Sequence, residues 1–455
     1  MHGKLQDLIA HHILSSFSIM TVTDELLNYI SSIKYEDISE SALLKIKECL
    51  IDTIGVTYAG AKGLENKTNK LQNLLNENDR CIKPIGCKYE TSLANAILIN
   101  GLHSHFMELD DGVRFGVIHP SAPIFAALIP IAEINNIPWK QFVIGAICGY
   151  ETSIRIAASM QPSHYDKGFH PTATCCTLGV SVAIAVALKY SKKELKDALS
   201  IASISACGTL KVLEDVSELK PYSCGKAALM GYYAAIMAKA GFSGPNEPLV
   251  GKYGMLNMMS DNYNEGILLR RNDFFYVEKI YLKPYASCRH THPGIEAAFK
   301  IRENKNFDPH KISDIKLYTY NSVLGKHDFT EIYGSSSAKM SIPYSIAIAL
   351  CTGKANIKEF EEPYISDKFI LSLTKIVKVI GDENLSKLVP DKRCAILNIT
   401  MNDGTSYIQN VEYPKGEPEN PLDMSELHDK FSAMTQYAGI DIEISNKIFH
   451  DIMAL

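Results

Sequence analysis

Between Pro171 and Leu188 the chain carries no charged residue. A run of that length raises the question of a membrane span. Ala, Thr, Ser, Gly and Cys dominate it, however, and no basic asymmetry flanks it as insertion would favour. Similar runs recur at Ala198–Leu210 and at Ala227–Ala240, the second interrupted by Gly231 and Lys239. Helices that are apolar all round and built from small residues belong at the centre of a tight helical cluster. Ala42–Tyr58, Thr91–His103 and Pro123–Ile134 add amphipathic helical periodicity, and strand alternation is almost absent up to Phe242. These patterns predict a soluble, mainly α chain with no membrane span.

The pattern changes after about Asn272. Phe274–Leu282 and Ile315–Tyr320 are rich in β-branched and aromatic residues and read as strands. Ala395–Val411 holds two alternating runs around Asn402-Asp403-Gly404, which predicts a hairpin whose two turn residues take positive φ. Helical patterns persist at Gly294–Glu303, Ser341–Cys351 and Asp367–Thr374, so this part reads as α+β. Pro414-Lys415-Gly416-Glu417-Pro418 and Asn420-Pro421 form a stiff linker. An amphipathic helix, Met424–Met434, follows and is placed to return to the helical part. The pattern thus divides near Asn272 into a helical part and a smaller α+β part. The length of 455 residues suits one large and one small domain.

Composition narrows the partners. With 46 basic and 51 acidic residues the net charge is −5, so no bulk positive field exists and nucleic acid is excluded as a main partner. Eleven cysteines at irregular spacing, without a C-x-x-C pair, read as reduced thiols of a cytoplasmic protein. Residues Met1–Met20 lack the pattern of a secretory signal and read as a fraying helix or as leader sequence before a start near Met20.

The sequence has no Walker A loop, no dinucleotide fingerprint, no G-x-S-x-G elbow and no H-E-x-x-H. Four other clusters stand out. The first is His103-Ser-His105-Phe-Met-Glu108-Leu-Asp110-Asp111-Gly112 followed by His119-Pro120-Ser121. The second is Lys167-Gly-Phe-His170-Pro171. Each His-Pro pair precedes a buried-type helix, where free N–H groups attract an anion. Taken singly, such a pair is more often plain helix capping. The third cluster is Lys220-Pro-Tyr-Ser-Cys-Gly225-Lys226 and the fourth is Lys283-Pro-Tyr-Ala-Ser-Cys288-Arg289-His290-Thr-His292-Pro293. The bland reading of both is a surface loop.

Together the clusters offer His119, His170 and His292 for proton transfer, because imidazole titrates near neutral pH. Lys220, Lys226, Lys283 and Arg289 offer cations for carboxylates. That combination suits removal of a proton next to a carboxylate. A metal-dependent lyase using His103, His105 and Asp111, or Cys288, His290 and His292, is the rival reading. A non-catalytic carboxylate-binding protein is the third.

The ordered motifs Ile51-Asp52-Thr53-Ile54-Gly55, Asn100-Gly101, Glu108-Leu-Asp110-Asp111, His119-Pro120-Ser121, Phe169-His170-Pro171, Lys220-Pro221, Lys283-Pro284-Tyr285, Thr291-His292-Pro293, Ser341-Ile342-Pro343-Tyr344 and Tyr413-Pro414-Lys415-Gly416 resemble those of the MmgE/PrpD family. The likeness spans nearly the whole chain from Asp24. The family includes 2-methylcitrate dehydratase, cis-aconitate decarboxylase and iminodisuccinate epimerase. The resemblance implies a large all-helical domain, 21–272 with 416–455, a smaller α+β lid domain, 273–415, and a homodimer that works without metal or organic cofactor, with Glu108, His119, His170, Lys220 and Lys283 in the site. Lys226, Arg289, His292, Asp111 and Cys288 complete the expected substrate-binding set, and the expected ligand is a small anionic carboxylate. Departures from the decarboxylase pattern are Glu108 in place of the frequent Asp, Cys288 in place of a His, Gly112 in place of a Thr, and one extra residue between Asp111 and His119. Arg114 is either an added carboxylate contact or a surface charge. We expect a cofactor-independent lyase like 2-methylcitrate dehydratase, with epimerase and decarboxylase chemistry as alternatives.

Overall fold

The computed structural model describes residues 20–75, 79–214 and 217–455; the reading of the N-terminal segment up to residue 19 lies outside them. The uncharged run forms the helix Pro171–Ala187, and of its residues only Val186 is not fully buried. Helices Ser121–Asn135, Trp139–Met160, Lys192–Ser205 and Tyr222–Lys239 surround it. Two of its hydroxyls bond within the helix: Thr177 Oγ1 donates to the Ala173 carbonyl at 2.9 Å and Ser181 Oγ to the Leu178 carbonyl at 2.8 Å. Close approach depends on missing side chains. A Cβ on Gly179 would lie 2.6 Å from the Gly149 carbonyl oxygen of the neighbouring helix. Among the described residues no helix is long and apolar enough to cross a membrane.

Further helices, Val22–Ser32, Glu40–Gly63 and Leu93–Phe106, extend this body. The helix Met424–Tyr437, followed by a last helix Ile442–Ala454, begins with a capping box between Asp423 and Glu426 and packs on Glu40–Gly63. Gly55 admits it, since a Cβ there would meet Met434 Cε at 2.6 Å. Lys430 on the same helix bonds the buried Asp52 carboxylate and donates to the Leu109 carbonyl at 2.8 Å.

The second part holds a four-stranded sheet in the order β2-β1-β3-β4. Its strands are β1 (Ile312–Thr319), β2 (Val377–Gly381), β3 (Ala395–Met401) and β4 (Ser406–Val411). β1 and β2 run parallel, as a helical crossover through Ser335–Met340, Ile342–Thr352 and Lys368–Ile376 requires, and the other pairs are antiparallel. In β1, Ile315, Leu317 and Thr319 are buried and the residues between them are not, the period of a half-covered strand. His292–Arg302 and Ile342–Thr352 cover that face. The fold is therefore mainly α with a smaller α+β part.

Two local expectations are corrected. The β3–β4 turn has positive φ at Gly404 alone, with the Gly404 N–H donating to the Met401 carbonyl at 3.0 Å and the Met401 N–H to the Thr405 carbonyl at 2.8 Å. This is a three-residue turn closed by a left-handed glycine, so Asp403 keeps an ordinary backbone. Phe274–Leu282 is not a strand. It carries a single 3₁₀ turn, Tyr276–Lys279, and its Tyr276, Val277, Ile280 and Leu282 belong to the helical core. Burial against helices selects the same bulky residues as a sheet does, which is why composition misled here.

Candidate active site

The helix Leu93–Phe106 ends just before the acidic segment, and there the backbone takes an unusual turn. Glu108 has φ of 56° and Val117 has φ of 52°. A left-handed conformation is uncommon for a non-glycine residue and an outlier for a β-branched one, each costing about 1–3 kcal/mol. Both residues line the same small cavity of about 50 Å³. The strain thus sits where the loop must aim its side chains inward.

Glu108 accepts a hydrogen bond from Lys220 Nζ, and Lys283 Nζ lies 3.6 Å from its second oxygen. Lys283 is also 3.5 Å from Asp110. All four groups are buried. Burial pushes the Glu108 carboxyl up, but Lys220 and Lys283 outweigh it and hold it well below the usual carboxylate range. Asp110 is likewise held low against burial, first by His105 and then by Lys283. Burial works against the Lys283 ammonium, yet Asp110 and Glu108 raise its pKa above the ordinary value.

Three imidazoles meet this network. His105 Nδ1 bonds Asp110 at 2.6 Å, and its Nε2 is buried without a partner. His119 Nδ1 bonds the Asp111 carbonyl at 2.5 Å. A carbonyl can only accept, so Nδ1 carries the proton and Nε2 holds the free lone pair. Burial lowers the His119 pKa to about 3, with Asp110 opposing and Lys283 adding to the fall, so the ring is neutral at physiological pH. His170 caps the helix Pro171–Ala187, and its Nδ1 is buried and unpartnered. Burial, then His105 and Lys220, hold its pKa well below the ordinary value. The His105 ring centroid is 5.0 Å from that of His119 and 6.3 Å from that of His170. The His119 N–H donates to Thr172 Oγ1 at 3.1 Å, which ties the two His-Pro segments together.

The structure brings Glu108, His119, Lys220, Lys283, Cys288 and Arg289 to this one cavity. Four other expected site residues, His170, Lys226, His292 and Asp111, do not line it. Lys226 turns to Cys207, bonding its carbonyl and lying 3.1 Å from its sulfur. His292 is locked between Arg289 Nη1 at 2.9 Å and the Ser287 carbonyl at 3.2 Å. Asp111 bonds Ser121, and burial pushes its carboxyl well above the usual range; its main-chain oxygen orients His119. Arg289 lines the cavity, but its donors are committed to Glu417, His292, Lys415 and Pro414. Arg114 pairs with Glu417 at 2.9 Å and Glu419 at 2.7 Å, two carboxylates of its own chain.

Sequence reading missed Asp110 as the partner of His105, and it missed Arg393 and Lys339. Arg393, just before β3, lines the small cavity, and its Nε has no partner. Lys339 lines a larger adjoining cavity of about 460 Å³ that shares Glu108 and Lys220 with the small one. Nothing in the spacing of either residue pointed to a site, since both sit in the α+β part far along the chain. Of the metal-type groupings, Cys288, His290 and His327 come together with ligand atoms within 4.8 Å, as do His105, Asp110 and His119. His292, expected beside His290, is replaced by His327, and neither His103 nor Asp111 joins a group.

A helical body and a smaller α+β part meeting at a cation-rich cavity with oriented neutral imidazoles define a protein suited to a small organic anion. The chain belongs to the MmgE/PrpD family: residues 24–266 match the MmgE/PrpD N-terminal domain and 285–449 the C-terminal domain. It is similar to the cis-aconitate decarboxylase of Mus musculus, 22% identical over 432 residues that cover 91% of this chain and 87% of that protein. Its similarity to the cis-aconitate decarboxylase of Aspergillus terreus is 22% over 423 residues, covering 88% and 86%. A cis-aconitate decarboxylase-like protein oryM of Aspergillus oryzae is 22% identical over 461 residues, covering 95% and 94%.

Proposed function

We propose that the chain is a cofactor-independent lyase that removes the proton α to a carboxylate of a small di- or tricarboxylate and expels a β-hydroxyl as water, as a 2-methylcitrate dehydratase does. One observation carries this reading. The Asp111 carbonyl fixes the His119 proton on Nδ1, leaving the Nε2 lone pair free in a cavity that also presents Lys220 and Lys283. Proton abstraction turns a carboxylate into an aci-carboxylate dianion, and fixed ammonium groups in a dry site stabilise that charge far better than water does. His119 takes the proton. His170, whose ring centroid is 6.3 Å from that of His105, is assigned to the departing hydroxyl, which leaves as water once the abstracted proton is passed to it. Asp110 orients His105, whose ring neighbours both. Lys220 must leave Glu108 to meet the substrate, so Glu108 holds the cation until the ligand arrives.

Decarboxylation is the second reading, favoured by the names of the relatives. There carbon dioxide leaves, the electrons of the broken carbon–carbon bond remain as a carbanion, and that carbanion is then protonated. Two features of this chain weigh for dehydration instead. A Cβ on Gly112 would lie 2.2 Å from Tyr281 Oη, so the threonine of decarboxylase members does not fit here. The cavity also holds the Cys288 thiol where those members carry imidazole. Epimerisation would use the same first step with reprotonation on the other face. In this proposal residues 273–415 act as a lid over a helical domain of 21–272 and 416–455. The protein is cytoplasmic and works as a homodimer, which light scattering would test.

Proton NMR in D₂O with citrate, 2-methylcitrate, cis-aconitate and iminodisuccinate, each alone, tests the chemistry. Deuterium entering at the α carbon, or loss of water, is the expected result with at least one. Lys220→Ala and His170→Gln should abolish it. Absence of exchange and turnover with all four, or full activity in both variants, removes the proposal.

A further inference from the structure

Charges around the two cavities pair off with two exceptions. Lys220 and Lys283 are matched by Glu108 and Asp110, and Arg289 and Arg114 by Glu417 and Glu419. Glu218, at the rim of the larger cavity, is engaged by Lys67. Lys339 and Arg393 form no ion pair among the described residues. Lys339 is 4% exposed; its Nζ finds only the Met107 sulfur at 3.9 Å and the Phe106 ring at 5.4 Å. Arg393 is 6% exposed, has an orphaned Nε, and spends one Nη2 donor on the Arg114 carbonyl at 3.3 Å. A buried charge without a counter-ion is among the costliest arrangements a fold can keep. Two of them, each lining a cavity, indicate two missing negative charges.

Their placement is informative. Arg393 lines the 50 Å³ chamber and Lys339 the 460 Å³ chamber. The Glu108–Lys220 pair lines both, so it forms the wall between them. The small chamber has room for little more than one carboxylate group, and the large one takes the rest of a ligand. We propose that Arg393 and Lys339 are the two ends of a dicarboxylate frame. One carboxylate of the ligand enters the small chamber against Arg393, another stays in the large chamber on Lys339, and the carbon chain between them crosses where Lys220 has turned away from Glu108. The frame rests on reading this cavity as a carboxylate site. It adds which cations receive the two carboxylates, Arg393 in the small chamber and Lys339 in the large one, so a monocarboxylate satisfies only one end.

Binding can be measured apart from catalysis. The full-length protein is titrated with succinate, citrate and cis-aconitate, and with acetate and crotonate as single-charge probes, by calorimetry and thermal shift. The di- and tricarboxylates are expected to bind at least tenfold more tightly than the monocarboxylates. Lys339→Met and Arg393→Gln should each cut that preference at least tenfold. Each should also raise the melting temperature of the ligand-free protein, because an uncompensated buried charge has gone; a merely structural cation would give the opposite shift. Equal binding of succinate and acetate to the unaltered protein overturns the frame without any variant. Unchanged dicarboxylate affinity in both variants overturns it too. If the preference and its loss appear while no probe exchanges deuterium, the frame stands and the proton-abstraction proposal falls.

Discussion

His105–Asp110–His119 and Cys288–His290–His327 look alike as ligand sets, each placing three metal-type atoms within 4.8 Å. Both also fix their imidazoles through Nδ1. His105 and His119 use Asp110 and the Asp111 carbonyl, while His290 bonds Tyr320 Oη at 2.6 Å and His327 the Met340 carbonyl at 3.0 Å. They differ in what surrounds them. The first contains a carboxylate that can balance a proton gained by its rings. The second contains none, and Arg393 and Lys220 press on it: burial first, then Arg393, holds His290 well below its ordinary pKa. The same positive surroundings disfavour a divalent cation there, whatever the ligand types suggest. Orientation alone does not assign a histidine cluster its task; the net charge of its neighbours does.

The sharpest way to break this contrast is a pair of substitutions. His119→Gln removes the basic nitrogen and is expected to lower turnover by about 10²–10⁴-fold, the usual worth of a positioned general base. His327→Gln should lower it less than tenfold. Steady-state rates on whichever carboxylate exchanges deuterium decide the matter. Equal losses would place both clusters in the chemistry.

A stability experiment sharpens it. His119 is held at about 3, and His103 and His327 at about 4, each chiefly by burial. An unfolded histidine takes up its proton near pH 6.5, so between pH 6.5 and about 4 the unfolded chain binds more protons than the folded one. Stability is therefore highest above pH 6.5 and falls with pH, by about 1.4 kcal/mol per pH unit for each such ring. Glu108 and Asp110, held low, keep their contribution until the pH drops below the ordinary carboxylate range. Urea unfolding at pH 7, 6 and 5 should show the decline, and His103→Phe should flatten it by about one proton. A flat profile would mean that these rings are already charged in the folded protein.

How much of this was legible beforehand follows from the range of the forces involved. The uncharged helices announce themselves because burial on all sides leaves a local mark on sequence, and Pro171–Leu188 carries it. The strand pattern of β1 and the hairpin at Gly404 are local too. His119, Lys220 and Lys283 could be singled out because Pro and Gly beside them mark helix ends and turns. His105 entered only as a metal-ligand candidate, since its partner Asp110 follows a left-handed Glu108 that no propensity predicts. Lys339 and Arg393 left no trace, because what distinguishes them is the lack of a neighbour in three dimensions. Lys226 misled for the converse reason: its partner, Cys207, lies on a separate segment.

The smallest expected effect concerns Cys288. Its thiol is raised by burial, opposed by Lys220, so it stays protonated at neutral pH and offers a weak donor rather than a thiolate. Serine keeps the shape and a donor. Cys288→Ser should then change turnover by less than threefold and stability by about 1 kcal/mol or less, close to the noise of surface substitutions. A zinc site at Cys288, His290 and His327 predicts something quite different, because a thiolate is the only negative charge such a site would have. Serine would cost it the metal, and a chelator would cost the unaltered protein whatever the metal supplies. Elemental analysis of both proteins, with EDTA challenge of the unaltered one, separates these outcomes: stoichiometric zinc lost on substitution would overturn the charge-based assignment of the two clusters, whereas two metal-free proteins of matching activity would leave proton transfer with His119 and its carboxylate-backed neighbour.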